Sequence, residues 1–203
     1  MPLPDSVKAA LALIEKDKSK VLGLTIGDHK VEPGIYVPRA VLRTSKGYRM
    51  AEVGHSTFPG TTDAQSAPEV SFDVTSSPAG ATFVAVCLDL DAPFTTLPIL
   101  GPILHWIQPG LKASTATTGT PTVLTSTETP VASYAGPAPP PGAAPHRYVF
   151  LLYEQPSNFD RKTIVPGGAE DVSVWNRMRY DLGALEKKAN LGPVLAANYF
   201  CSN

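Results

Sequence analysis

At 203 residues and 43% hydrophobic content, the chain is long enough for one domain with a sizeable core, and a split into two small domains is disfavoured. A net charge of −1 with no basic cluster argues against a nucleic-acid partner, because phosphate-backbone binding needs a basic surface. No apolar stretch approaches the roughly 18 residues of a membrane span, so no span is expected.

In chain order, "MPLPDSVKAALALIEKDKSK" lacks a basic start and carries acids throughout, so it is not expected to act as a secretory signal, and a cytoplasmic location follows. Within it Val7, Ala10, Leu11 and Ile14 recur at helical spacing, with Asp5 placed to cap the start. "GHSTFPG" (54–60) reads as a surface loop, and His29 and His55 as surface residues. "EVSFDV" (69–74) alternates. "TFVAVCLDL" (82–90), "ILHWI" (103–107), "RYVFLLY" (147–153) and "VLAANYF" (194–200) are short β-branched or aromatic runs bounded by Pro and Gly, which predict strands, several buried on both faces. The tract 112–133, rich in Thr, Ser and Ala, predicts a long excursion within the domain, since strands resume after it. Trp175, Met178, Leu182 and Leu185 predict a second amphipathic helix after Ser173, with Gly192 and Pro193 as its stop. Cys87 and Cys201 sit in apolar runs and read as buried thiols of a reducing compartment. Helices at the ends and strands between predict a single α+β domain over 1–203: a mainly antiparallel β-sandwich with peripheral N- and C-terminal helices.

Few motifs carry chemistry by themselves. Asp89 and Asp91 in "CLDLDAP" (87–93) close an apolar strand, where a carboxylate must be paired, hydrogen-bonded or at a site mouth; a simple Asp-Ala-Pro turn is the competing reading. His105 sits in a strand with Ile103 and Ile107 on its own face. The two-residue period puts His146 and Tyr148 on one face and Arg147 on the other. No nucleophile elbow, H-E-x-x-H helix, glycine-rich phosphate loop or paired C-x-x-C is present, and no cofactor is expected. A metal held by Asp89, His105 and His146 lacks any supporting short-range spacing.

Taken together, "DLDAP", "LHWI", "YAGPAPPPG...PHRYVFLLYEQP" and "LGPVLAANYF" resemble the phosphatidylethanolamine-binding protein family, and its fungal, carboxypeptidase Y inhibitor-like members in particular, over about residues 20–200. The resemblance implies a β-sandwich with peripheral helices and a small anion pocket at one end. It implies Asp89, His105, Pro140, His146, Tyr148 and Tyr199 as ligand-binding residues, and Asp91, Pro93, Pro139 and Arg147 as structural motif residues. On that reading Asp89 orients His105 and keeps it protonated, while Arg147 faces away and pairs with a buried carboxylate such as Asp91. Leu90 and Phe94 depart from the family pattern, and the apolar connection "FTTLPILGPI" makes the approach to the pocket less polar. The chain ends without the C-terminal helix of animal members, which implies a more open mouth.

Two functions follow as expectations. The first is a module that binds a phosphate- or carboxylate-bearing small molecule and regulates a protein partner, as an inhibitor of a serine carboxypeptidase or a kinase. The second is a metabolic isomerase, dehydratase or cyclase in which Asp89, His105 and His146 serve as acid and base. The binding reading ranks first, because no activated nucleophile is visible and no catalytic residue is assigned on it.

Overall fold

The computed structural model describes residues 3–27, 29–38, 64–113, 121–165, 167 and 169–203, so the 54–60 loop with His55 lies outside the described residues. Helix α1 (Asp5–Lys16) buries Val7, Ala10 and Ile14, with Leu11 half-buried at the edge of that stripe. Asp5 is its first residue and not its cap; Pro4 occupies the cap position without a side-chain hydrogen bond, and Asp5 accepts from Lys8 Nζ at 3.0 Å.

The described strands are β1 (Gly23–Ile26), β2 (His29–Lys30), β3 (Ile35–Tyr36), β4 (Glu69–Phe72), β5 (Phe83–Asp89), β6 (Ile103–Ala113), β7 (Thr122–Thr125), β8 (His146–Glu154) and β9 (Ala196–Ser202). They form one nine-stranded sheet in the order β2-β1-β4-β7-β6-β5-β8-β9-β3. Every pairing is antiparallel except β3 with β9, which makes the sheet mixed. The two separate layers of the expected sandwich are therefore continuous in this chain, and the sheet curls on itself at β6. That strand pairs with β5 from Ile103 to Leu111 and with β7 at Lys112 and Ala113. Gly110, at φ +72°, takes the backbone conformation that the bend needs. The buried amide of Gln108 holds it by donating to Pro109 O, Ser126 Oγ and Glu128 O.

The curl makes two apolar layers. Val84, Val86, Leu88, Val149 and Leu151 face α1 and α4 (Leu182–Lys188) on the outer side. Phe83, Ala85, Cys87, Tyr148, Phe150 and Phe200 face the inside of the curl, where Leu24, Val70 and Leu124 close over them. Alternating side chains of one strand thus feed two cores, which is why β5 and β8 read as unbroken apolar runs.

The expected C-terminal helix is two short ones. Ser173 caps α3 (Val174–Arg177), Asp181 caps α4, and Arg179 between them sits at φ +51°. Trp175 is 80% exposed, and the buried residue of α3 is Arg177. The guanidinium's hydrogen bonds seat α3, while Leu182 and Leu185, the α4 half of the expected stripe, are buried in the outer core. Helix α4 ends at Lys188, before Gly192, with Asn190 in the left-handed region at φ +53°. Helix α2 (Arg161–Ile164) contributes Ile164 to the outer core.

Candidate functional site

The end of β5 meets the start of β8 with Asp89 opposite Tyr148. His146 lies two residues before Tyr148 and therefore on the same face. Its Nδ1 is 2.8 Å from Asp89 Oδ2, and its Nε2 is 3.1 Å from the Pro93 carbonyl. Both ring nitrogens meet acceptors, so both carry hydrogens and the ring is an imidazolium. Burial acts to lower the His146 pKa, but the hydrogen bond and charge of Asp89, the Pro93 carbonyl and Asp91 outweigh it, and the net direction is up. The second Asp89 oxygen accepts from Asp91 N at 2.8 Å, so this buried carboxylate is fully engaged.

His105 enters through a β-bulge. The β5–β6 register places Leu104 opposite Leu88 and Trp106 opposite Cys87, leaving His105 as the extra residue. His105 and Trp106 consequently project to the same inner face, while Ile107 points into the outer core. The expectation that His105 shares a face with Ile107 fails for that reason. Its Nδ1 lies 2.5 Å from the Ala135 carbonyl, and its own carbonyl accepts from Ala135 N at 2.8 Å. A carbonyl at Nδ1 requires N–H there, so the neutral ring keeps its lone pair on Nε2. Burial lowers the His105 pKa, the charges of Arg177 and His146 add to the effect, and the Ala135 carbonyl and Asp89 offset it only in part.

Two expectations about roles are corrected by these contacts. Asp89 holds His146 and not His105, because the bulge hands His105 to a backbone carbonyl on the neighbouring segment. The environment holds His105 neutral instead of protonated.

Tyr148 packs edge-to-face on His105, with ring centroids 5.0 Å apart, and stacks on Phe200. Its hydroxyl is buried, with the Ala138 backbone amide as a nearby donor. Burial raises its pKa far above the ordinary phenol value, with Asp89 and Cys87 adding to the rise and the Ala138 backbone amide opposing it. The proline segment runs beside this pair. Pro139 is buried, Pro140 half-buried, and a turn from Pro140 to Ala143 closes with a 3.0 Å hydrogen bond. Pro141 and Gly142, the latter at φ +82°, suit the central positions of a type II turn.

Tyr199 does not join the group. Tyr148 pairs with Phe200 across β8 and β9, so Tyr199 is on the opposite face, opposite Val149 and with its hydroxyl close to Gly34. Arg147 is on that opposite face too, where its Nε and Nη2 donate to Asp91 at 2.8 and 2.6 Å and its backbone N donates at 2.9 Å. Two ion pairs thus join the end of β5 to the start of β8, one on each face of the sheet.

Sequence reasoning missed Arg177, Asp171 and the carbonyls of Pro93 and Ala135. Buried Arg177 donates to Val172 O, Ser133 O, His105 O and Asp171 Oδ1, tying α3 to the strand that carries His105. Backbone carbonyls leave no trace in residue type, and Arg177 sat in a stripe read as apolar. No three His, Cys, Asp or Glu side chains among the described residues are grouped to hold a metal ion. No described helix is long and apolar enough to cross a membrane.

Comparison with known proteins adds the lineage. Phomoidride biosynthesis cluster protein N of Talaromyces stipitatus is 37% identical over 102 residues, which are 49% of this chain and 48% of that protein. Carboxypeptidase Y inhibitor of Saccharomyces cerevisiae is 38% identical over 87 residues, 38% of this chain and 40% of that one. The chain therefore spans about half the length, or less, of these curated relatives. A crystal structure of carboxypeptidase Y inhibitor complexed with its cognate proteinase superimposes with a TM-score of 0.61 at 23% identity, covering 98% of this chain and 93% of that one, a likeness of fold. The family profile described as phosphatidylethanolamine-binding protein matches residues 42–200, and on that match the chain belongs to the phosphatidylethanolamine-binding protein family.

Proposed function

We propose that this protein binds a small molecule through an acidic group, at the site formed by Asp89, His105, His146 and Tyr148 beside the Pro139–Pro140 rim, and regulates a protein partner. The observation that carries the binding half is the concentration of buried polar groups in an otherwise apolar sheet end. Asp89, His105 and His146 are each at most 7% exposed there, and the Tyr148 hydroxyl is buried beside them. Burying polar groups is costly, and their concentration at one end of an otherwise apolar sheet supports a ligand site there. The partner half is supported by the inhibitor among the relatives. A serine carboxypeptidase is the partner class to try first, and a kinase the second.

A second reading is favoured by one relative being named for a biosynthesis cluster. In it the buried carboxylate–imidazolium pair and the neutral His105 serve as acid and base in small-molecule metabolism.

Titration calorimetry with inorganic phosphate tests the binding reading. Binding is expected in the wild type and is expected to be lost in His105→Ala. No binding by the wild type, or equal binding by the variant, overturns it. For the second reading, extracts of a deletion strain are supplied with wild type or Asp89→Asn. A product restored by the wild type alone would establish turnover.

A further inference from the structure

The site at the end of β5 and the start of β8 faces the inside of the curl. On the outer side of the sheet, helices α2, α3 and α4 leave a separate cleft of about 210 Å³ between them. Its floor is apolar, made by Ile164, Val172 and Leu185, all buried in the outer core. Its rim is polar, made by Arg179, Tyr180 and Lys188. A dry cavity of about 150 Å³ already takes a benzene ring, so the cleft has room for a ring bearing one further group.

The rim is built with care around Arg179. Its φ of +51° is a left-handed conformation that a residue with a Cβ adopts only under constraint. The constraint is visible: its backbone N donates to Leu100 O and its Nε to Ile99 O, both at 3.0 Å, and Tyr180 N donates to Pro102 O at 2.8 Å. These bonds fix the guanidinium to the connection before β6 and leave both of its terminal nitrogens without a hydrogen-bond partner. Among the described residues, neither Arg179 nor Lys188 is ion-paired. Asp181 also lines the cleft, but its Oδ1 is turned to its own helix, where it accepts from Ala184 N at 2.9 Å. Two cations against one carboxylate leave a net charge of +1. The Tyr180 phenol is a donor, because burial and then the charge of Asp181 push its pKa up to about 12.

We propose that this cleft is a second ligand site, for monocarboxylates with an aromatic or branched apolar body. The carboxylate accepts from the two terminal nitrogens of Arg179 and from Tyr180 Oη, and the apolar body lies on Ile164, Val172 and Leu185. A fixed guanidinium fork suits a carboxylate in two parallel hydrogen bonds. Lys188, the last residue of α4, adds the second positive charge. The net charge matches a monoanion, whereas a dianion such as hydrogen phosphate would bring one charge too many and nothing to cover the apolar floor. The inference is independent of what the β5–β8 site binds.

The probe is 4-fluorobenzoate, followed at pH 7.5 by fluorine NMR and calorimetry. The wild type should bind it saturably. The neutral isostere 4-fluorobenzamide should bind at least about tenfold more weakly, since hydrogen bonds to a charged group are worth about that factor. Arg179→Gln should cost about tenfold, and Lys188→Gln, the loss of a screened charge alone, about threefold. Ala184→Leu should abolish binding with every cation in place, because Ala184 lines the cleft and the larger side chain fills it. Arg179 and Lys188 are exposed and Ala184 half-buried, so thermal melts close to that of the wild type should show the variants folded. Saturating inorganic phosphate should not displace the probe. Absence of saturable binding, equal binding of the amide, unchanged affinity in Arg179→Gln or Ala184→Leu, or displacement by phosphate each overturns the proposal. None of these results decides whether the β5–β8 site binds phosphate, which calorimetry with phosphate alone settles.

Discussion

Replacing Arg147 by methionine keeps most of the side-chain length and removes the charge. Asp91, whose side chain is 5% exposed, then loses both guanidinium hydrogen bonds and keeps only the Arg147 backbone N–H at 2.9 Å. Breaking a fully buried pair from one side costs about 3–5 kcal/mol. The Arg147 side chain is 40% exposed, so water screens part of that and about 2–3 kcal/mol remains. For a chain of this size each kcal/mol moves the Tm by about 2–4 °C, giving a fall of roughly 4–12 °C in a calorimetric melt at pH 7. Lys8→Met is the control, because Lys8 pairs with an almost fully exposed Asp5 and a surface change of that kind stays within about 0.5 kcal/mol. The pH dependence follows from Asp91. Burial alone would raise its carboxyl pKa, but the Arg147 hydrogen bonds and charge reverse the direction, so the folded value lies below the ordinary one. A depressed carboxylate contributes stability above its unfolded value, about 3.9, and loses it as the pH falls through the folded value. The gap between wild type and Arg147→Met should therefore narrow below about pH 4. A melt of Arg147→Met no lower than that of Lys8→Met would refute the reasoning.

Asp89→Asn should lower the His146 pKa, read from its ring resonances by NMR, since the carboxylate is what holds the imidazolium charged against burial. A raised histidine contributes stability that is complete below about pH 6.5 and fades as the pH climbs through its folded value. Urea unfolding of the wild type between pH 6 and 9 should accordingly show a decline that Asp89→Asn lacks. Gly110→Ala should cost about 1–2 kcal/mol in the same assay, because φ is +72° there and a Cβ would also meet the Glu128 side chain.

Legibility in the sequence followed the length of each apolar run. Strands β5, β6, β8 and β9 were visible because they feed two cores and each holds a mainly apolar run. Strands β1, β2 and β3 are two to four residues long and too short to show a period. Strand β7 sits inside the Thr- and Ser-rich tract, where composition resembles a loop and the pairings with β4 and β6 make the strand. The same limit governed the site. Alternation within β8 separates His146 and Tyr148 from Arg147 without any coordinates. Relating that face to β9 needs the register Tyr148 to Phe200, which no single strand encodes, and so Tyr199 was misplaced. The Asp89 partner was missed because a bulge shifts parity by one residue and leaves no mark in residue type. Of the stripe Trp175, Met178, Leu182 and Leu185, Leu182 and Leu185 are buried in the core as expected, while Trp175 is exposed because buried Arg177, with four hydrogen-bonded partners, seats α3 instead.

The extra residue at position 105 separates two tasks that a regular strand would fuse. Its neighbours Leu104 and Trp106 keep the ladder and fill the two cores, while His105 stands outside the residue-for-residue pairing. A change of side chain there need not disturb the pairing of β5 with β6 or the packing behind it. The position is in effect a socket in a finished wall. A substitution there gives up the Ala135 hydrogen bond and the Tyr148 contact but leaves the strand ladder intact, whereas Trp106, one residue on, holds both a ladder position and a place in the inner core.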